Sequence, residues 1–393
     1  MDARGTPMAN VRLAQILADA GHTVHVITYP FGSALRYPGI NIHRCRRVPF
    51  VRSVRIGLSA AKLLLDISLA SCALRLVRST TLHCIQGVEE GVFIAAVLSR
   101  FAKIPLVYDM DSVMSYEIGN TVFGKFPPAI WLTRAAERWA IRNAALVVTI
   151  SESMAAYVKQ VDQSKDVVIV PDAPMPRARG DADPDRARAQ LPRGFVENRK
   201  IISYTGSLAS YQGLDLLVSA MARVIAVMAE AALVIVGGTE KDIKRLASKA
   251  EGVGVMHHVL LVGKKPPDQI PDFLSMADVL VSPRRGGINP PAKIYTYMHA
   301  GKPIVATDIP AHTTVLGRDA AILVEPTADG VADGILWALT HPDEAARKAS
   351  HAEEIVSRIT PELQVRRLLE GYELVKQRIG IGGKQERRNA GRE

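Results

Sequence analysis

ADVLVSPRRGGINPPAKIYTYMHAGKPIVATDIP, residues 277–310, reads as strand, loop, helix, turn and strand. Ala277 to Val281 is a short apolar run suited to a buried strand. Pro283 to Pro291 holds three prolines, two glycines and two arginines, a loop composition. Ala292 to Ala300 suits a short helix, with Gly301 as its stop and Pro303 just beyond. Ile304 to Thr307 is the next strand. A basic loop entering a helix N-terminus can hold phosphate, because free backbone N–H groups and the helix dipole point at the anion. Arg284, Arg285 and Lys293 add charge there. Taken alone, the stretch is equally well an ordinary strand-to-helix connection with solvated arginines.

The same rhythm extends outward. Upstream lie a strand at Ile201–Thr205, a glycine turn and a helix at 213–228. A strand at Leu233–Val236, Gly237-Gly238, a further helix, a strand near 259–262 and a helix at 268–276 follow. Downstream come a strand at Ala321–Val324, a helix at 328–340 and helical sequence over 343–378. The first half repeats the pattern. A helix at Met8–Ala20 is closed by Gly21, and a strand follows at His22–Thr28. A helix at 56–78, strands at Leu82–Ile85, Leu106–Tyr108, Leu146–Ile150 and Val167–Val170, and helices at Gly91–Ala102 and 128–143 complete it. Alternation of this kind predicts an α/β protein with two doubly wound, Rossmann-like domains. The expected bounds are 1–172, a Pro-, Arg- and Asp-rich linker at 173–198, and 199–358. A last helix at 359–378 and a disordered basic tail at 379–393 follow. No strand is read before the first helix, although Gly5-Thr6-Pro7 resembles the loop that should follow one. The first domain thus reads as lacking its first strand.

The chain has 393 residues, 48% of them apolar, enough for two cores. Three scattered cysteines (Cys45, Cys72, Cys84) imply a reducing compartment and neither a disulfide framework nor a structural zinc. A net charge of +10 suits an anionic partner: a nucleotide, a phosphorylated lipid, a membrane surface or a nucleic acid. The opening MDARGTPMAN predicts no signal peptide. Lys62, Asp66 and Arg75 interrupt the apolar run 56–77, which argues against a spanning helix. Arg44, Arg46, Arg47, Arg52 and Arg55 alternate with apolar residues. Segment 44–55 is either a contact for an anionic membrane surface or a solvated loop. It offers no aromatic platform for nucleic acid.

Three glycine loops follow strands of the second half: 206–213 (GSLASYQG), 237–239 (GGT) and the loop at 283–291. In a parallel sheet all three share the carboxyl edge, where glycine lets backbone approach phosphate. None matches a Walker A loop or a GxGxxG fingerprint. YTGSLASYQGLDLLVSAM, LVIVGG and PDFLSMADVLVSPRRGGINPPAKIYTYMHAGKPIVATDIPAH, in this order and spacing, resemble the carboxyl-terminal domain of family-4 glycosyltransferases with the GT-B fold. NVRLAQILADAGHTVHVIT, IPLVYDMDS and ALVVTISESM resemble parts of the amino-terminal domain.

The resemblance implies two Rossmann-like domains facing across a cleft, and a terminal helix returning to the first. It implies a nucleotide-sugar donor on the second domain, an acceptor on the first, and transfer with retention without an active-site metal or cofactor. Lys293 would contact the donor diphosphate, with Gly206, Ser207 and Gly238 lining the phosphate path. The family's Glu-x7-Glu pair is replaced by Ile288 and Thr296, and its basic loop residues by Ser207 and Gln212; Gln212 and Thr296 remain candidate donor contacts. The sequence NPPAKIYTYMHAGKPIVAT resembles a branch with an Asn-x-Pro-x-Lys-Ile-Tyr loop, in which Asn289 and Tyr295 join Lys293. Gly5, Thr6, Asp109 and Asp111 fall on the acceptor side. Asp111 is either an acceptor contact or a helix cap. The expected setting is cytoplasmic, in polysaccharide biosynthesis with a glycan or lipid-linked acceptor, and the basic segment 44–55 suggests peripheral contact at the inner membrane face. The rivals are an inactive GT-B binding or scaffold protein and a nucleotide-sugar isomerase; for the isomerase no matching set of carboxylates and histidine is present.

Overall fold

The computed structural model describes residues 5–31, 37–51, 60–119, 127–172 and 182–378. The chain divides into two compact units, Met1–Pro171 with Pro361–Glu393, and Asp172–Thr360. Arg52, Arg55, part of the expected linker and the expected tail lie outside the described residues.

The first unit opens with α1 (Gly5–Asp19), and Gly21 closes it at φ +86°. The His22 N–H returns to the Leu17 carbonyl at 3.1 Å, a glycine-dependent helix stop. Then come β1 (Val24–Thr28), β2 (Ile40–Arg44), α2 (Ala60–Ser79), β3 (Ile85–Val88), α3 (Gly91–Ala102) and β4 (Leu106–Met110). They are followed by α4 (Met114–Gly119), α5 (Pro127–Asn143), β5 (Leu146–Thr149), α6 (Glu152–Val161) and β6 (Val167–Ile169). The strands form two parallel sheets, β1–β2 and β3–β4–β5–β6. One apolar cluster nevertheless joins them, with Leu13, Ile16 and Leu17 of α1 and Val24 of β1 packed with Val107, Leu146 and Val148. Among the described residues no strand precedes α1. A strand leading into α1 by a right-handed crossover would pair beside β1.

The sequence reading places no strand at 40–44 and ends a strand at Ile85, where β3 begins. Both differences arise from pairing. β2 is held by its register with β1, Val24 opposite Ile40, and β3 by its register with β4, Ile85 opposite Leu106.

The second unit contains α7 (Pro184–Arg188), β7 (Lys200–Thr205), α8 (Leu214–Val227), β8 (Ala231–Val236), α9 (Glu240–Val253), β9 (Val259–Gly263) and α10 (Ile270–Ser275). It continues with β10 (Val279–Ser282), α11 (Ala292–His299), β11 (Ile304–Thr307), α12 (Pro310–Thr313), β12 (Ile322–Val324), α13 (Ala328–Thr340) and α14 (Pro342–Ser357). Its sheet is parallel, in the order β12-β11-β10-β7-β8-β9. Every residue of β8, AALVIV, is buried, as a parallel strand covered on both faces requires.

Residues 182–198, inside the expected linker, fold onto this unit. Ala187 and Leu191 are buried among Ile201, Ala232 and Phe273. The Asp183 N–H donates to the Asp272 carboxylate at 2.9 Å. The segment's polar composition hides two apolar contacts that a short helix is enough to bring inward.

The last helix, α15 (Pro361–Arg378), packs on β5 and β6 of the first unit. Leu368 and Val375 are buried there, and Gly371 lies against Leu146 and Val168.

Candidate functional site

The strand order of the second unit reverses between β7 and β10. β7 leads outward through β8 to β9, and β10 leads the other way through β11 to β12. Loops after two such strands diverge to opposite faces of the sheet and leave a crevice at their carboxyl ends. These are the loops 206–213 and 283–291.

Glycines let the loops meet. At Gly213 (φ +73°) a Cβ would overlap the Pro283 carbonyl oxygen, and at Gly237 (φ +131°) it would overlap the Gly206 carbonyl. Two further contacts close the junction. The Arg285 N–H donates to the Tyr211 carbonyl at 3.2 Å, and the Arg285 guanidinium pairs with Asp215 at the start of α8.

Lys293 enters from the first turn of α11. Its Nζ donates to the Tyr204 hydroxyl and to Gln212 Oε1, both at 2.8 Å, and lies 3.9 Å from the centre of the Tyr204 ring. The Tyr204 hydroxyl in turn donates to the Ser207 carbonyl at 2.5 Å. Arg284 is buried, and donates to the Asn289 backbone carbonyl at 3.1 Å and to Asn289 Oδ1 at 3.2 Å. Burial first, and then the Arg284 charge, push the Lys293 pKa well below that of a free lysine. A lysine and an arginine brought to the carboxyl ends of β7 and β10 suit an anion.

The loop is anchored from behind by His312 of α12, which is fully buried. A carbonyl can only accept, so His312 Nδ1 donates to the Thr307 carbonyl at 2.8 Å. Nε2 is then left to accept from Ser282 Oγ at 2.9 Å. Thr307 Oγ1 donates to the Arg284 carbonyl at 2.5 Å, and the Ala311 N–H to the Gly287 carbonyl at 3.0 Å. Burial pushes the His312 pKa down to about 3, against the Thr307 hydrogen bond and with help from Lys293 and Arg284.

The structure thus brings Gly206, Ser207, Gln212, Asn289 and Lys293 together. Gly238 (φ +81°) follows β8 and rests against Leu208. Thr296 is half-buried on α11. Tyr295 is not gathered with Lys293. Two residues along a helix point to different sides, and Tyr295 is buried among Leu280, Ile294 and Met298. Tyr297 is the tyrosine that reaches the sheet edge, where its hydroxyl accepts from the Thr205 N–H at 2.8 Å. Tyr204, Tyr297 and His312 were not singled out from sequence. The tyrosines sit in apolar runs like any core residue, and only the HTT after DIPA marks His312.

In the first unit Asp109 is buried and accepts from Gln86 Nε2 at 2.7 Å, while Gln86 accepts from the Tyr372 hydroxyl of α15. Asp111 and Ser112 follow β4 and are half-buried; Ser112 Oγ donates to Glu89 at 2.9 Å. Glu137, another residue the sequence did not flag, is fully buried on α5. It accepts from the Met114 N–H at 2.7 Å, Ser115 Oγ at 3.1 Å and the Tyr157 hydroxyl at 2.7 Å, and so holds the start of α4. Gly5 and Thr6 form the first turn of α1; the side chain of Thr6 lies outside the described residues. Among the described residues no group of three or more His, Cys, Asp or Glu is placed to hold a metal ion.

Residues 5–173 match the family described as "Glycosyl transferase 4-like domain", and residues 199–341 the one described as "Glycosyl transferases group 1". A 2-deoxystreptamine glucosyltransferase of Streptomyces kanamyceticus is 29% identical over 39% of this chain and 40% of its own length. A GDP-mannose-dependent α-(1-6)-phosphatidylinositol monomannoside mannosyltransferase of Mycolicibacterium smegmatis is 28% identical over 45% of this chain and 53% of its own. The chain thus spans about half the length of these two relatives or less. Among solved structures, a sucrose-phosphate synthase of Thermosynechococcus elongatus superposes with a TM-score of 0.77 at 18% identity, over 96% of this chain and 94% of that one. HepE of Anabaena in complex with UDP superposes with a TM-score of 0.69 at 17% identity, over 94% and 96%.

Proposed function

The chain belongs to the family-4-type glycosyltransferases with the GT-B fold, and from that premise we propose that it transfers a sugar from a nucleoside diphosphate sugar to a glycan or lipid-linked acceptor. The observation that carries this reading is the placement of Lys293 on Gln212 and beside Gly206 of the loop 206–213, with Arg284 on the facing loop, at the switch point of the second unit. A diphosphate carries the complementary charge and gains more of it as the glycosidic bond breaks. Lys293, Arg284 and the loop N–H groups stabilise that leaving group, which is the role an active-site metal has elsewhere. Transfer with retention and without a metal follows the family resemblance. Uridine is the first base to test, since HepE and a trehalose-6-phosphate enzyme of E. coli form complexes with UDP or a UDP-sugar. Asp111, at the carboxyl end of β4, is the acceptor contact. The phosphatidylinositol-directed relative supports an acceptor presented at the cytoplasmic membrane face. Exposed Arg44, Arg46 and Arg47 support the same setting.

A thermal-shift panel of nucleoside diphosphates and their sugars tests the donor. A ligand that binds only the folded state raises the melting midpoint, and the expected result is a rise with UDP or its sugars. A panel without any shift would sink the reading. The absent carboxylate pair at Ile288 and Thr296 favours a second reading, a GT-B binding protein without activity. Transfer or donor hydrolysis by the purified protein would dispose of it.

A further inference from the structure

Eight of the twelve large hydrophobic side chains exposed among the described residues lie on three helices of the first unit. They include Leu63, Leu64 and Ile67 of α2, Phe101 of α3, and Trp131 and Leu132 of α5, with Phe101 81% and Trp131 68% exposed. α3 lies between α2 and α5 and touches both, so the three form one layer over the sheet.

The same layer is basic. Arg75, Arg78, Arg100, Arg134, Arg138 and Arg142 are all exposed. Among the described residues of these helices no carboxylate is exposed: Asp66 is half-buried and accepts from Tyr29, and Glu137 is fully buried. On α2 the exposed apolar residues lie in the first turns and the arginines in the last, and Trp131 and Leu132 lie in the first turns of α5, while Phe101 adjoins Arg100 at the end of α3. α5 lies in the crossover between the parallel strands β4 and β5, which sets its first turns towards their carboxyl edge. Lys62 of α2 pairs with Glu90 at 2.6 Å. Ser68 Oγ donates to the Arg46 carbonyl at 2.8 Å, which lays the basic stretch 44–47 along α2.

A water-facing helix surface is normally charged with both signs. One that is aromatic, aliphatic and basic, and free of exposed acid, complements anionic headgroups over hydrocarbon. No helix of the described residues is long and apolar enough to cross a membrane. We propose that the outer face of α2, α3 and α5 docks on an anionic lipid bilayer, with the first turns of α2 and α5 entering the headgroup region. This rests on the membrane-presented acceptor of the preceding reading and names the surface: a helical layer, of which segment 44–47 is only the margin. It sets the strand ends that carry Glu89 and Asp111 beside the lipid.

Co-sedimentation of the full chain with vesicles of phosphatidylcholine alone, or of phosphatidylcholine with phosphatidylglycerol, tests it. The wild type is expected to sediment with the anionic vesicles only, and less so as salt is raised. Two double variants, I67E with W131E and R134E with R138E, each lower the partition coefficient by at least about tenfold. All four positions are exposed, so both variants keep the wild-type melting midpoint and its shift with UDP. Absence of binding to anionic vesicles, or equal binding by the variants, overturns the proposal. It is equally overturned if the variants abolish a self-association seen by sedimentation without lipid, for then the face belongs to a second copy. The UDP shift reports on the transferase reading separately, because these residues belong to the first unit and the donor loops to the second.

Discussion

Lys293 is the residue on which the proposed chemistry turns, and its surroundings make a specific demand. Its ammonium form is disfavoured by burial and by Arg284. Beside a diphosphate the same form is favoured. Donor binding therefore takes up a proton over the pH range between the two pKa values. Affinity is full below that range and falls as pH rises through it. Titration calorimetry with UDP in buffers of different ionisation heat should show this uptake, and K293M should lose both the uptake and most of the affinity. Zero uptake would mean that the lysine is already charged when free. Removing one such donor in related chemistry lowers kcat by about 10²–10³, the range expected for K293M. His312 makes a different prediction. Its folded pKa lies near 3 against an ordinary value of 6.5, so between those values the unfolded chain holds a proton that the folded chain does not. The histidine's contribution to stability is whole above about 6.5 and declines as the pH falls towards 3. Urea titrations of wild type and H312Q from neutral to acid pH should show a shallower decline in the variant. Lys293 could be singled out from its place at a helix start after a basic loop. Tyr204 and His312 could not, because their roles exist only through partners distant in the chain.

At the scale of elements, the donor crevice depends on two loops that need glycine where they meet. In G213A the new methyl would overlap the Pro283 carbonyl, and its backbone would be held at φ +73°. The loops 206–213 and 283–291 must then part, carrying Gln212 away from Lys293. The expected outcome is loss of the UDP-induced thermal shift with a fall of about 1–3 kcal/mol in stability, measured by denaturant titration. A retained shift would mean that the loops tolerate separation. The strands and helices bordering these loops were legible, because apolar runs, glycine stops and prolines act locally. β2 was not: INIHR has no apolar run of its own, and it becomes a strand by pairing with β1. Helix α7 was hidden in the same way, inside a polar stretch whose Ala187 and Leu191 find the second unit's core.

At the scale of the whole molecule, the chain leaves its first unit, builds the second and returns through α15. Leu368 of α15 is fully buried beside Val107, Leu146 and Val148. L368A should therefore cost about 2–5 kcal/mol and destabilise the first unit, although the residue follows the second in sequence. Hydrogen exchange resolved by segment would show faster opening in β4 and β5 and none in β7 and β8. The reverse pattern would place α15's stabilising contacts elsewhere. Alternation of helix and strand, the carboxyl-edge position of the glycine loops and the basic entry to α11 were all in the amino-acid order, since each depends on residues within a few positions of one another. The convergence of Lys293, Tyr204 and Gln212, the anchoring of Arg284 through Thr307 and His312, and the gathering of α2, α3 and α5 into one acid-free face belong to the tertiary structure. These arise from pairing and packing between segments tens to hundreds of residues apart, and local pattern holds no record of which distant partner a side chain will meet.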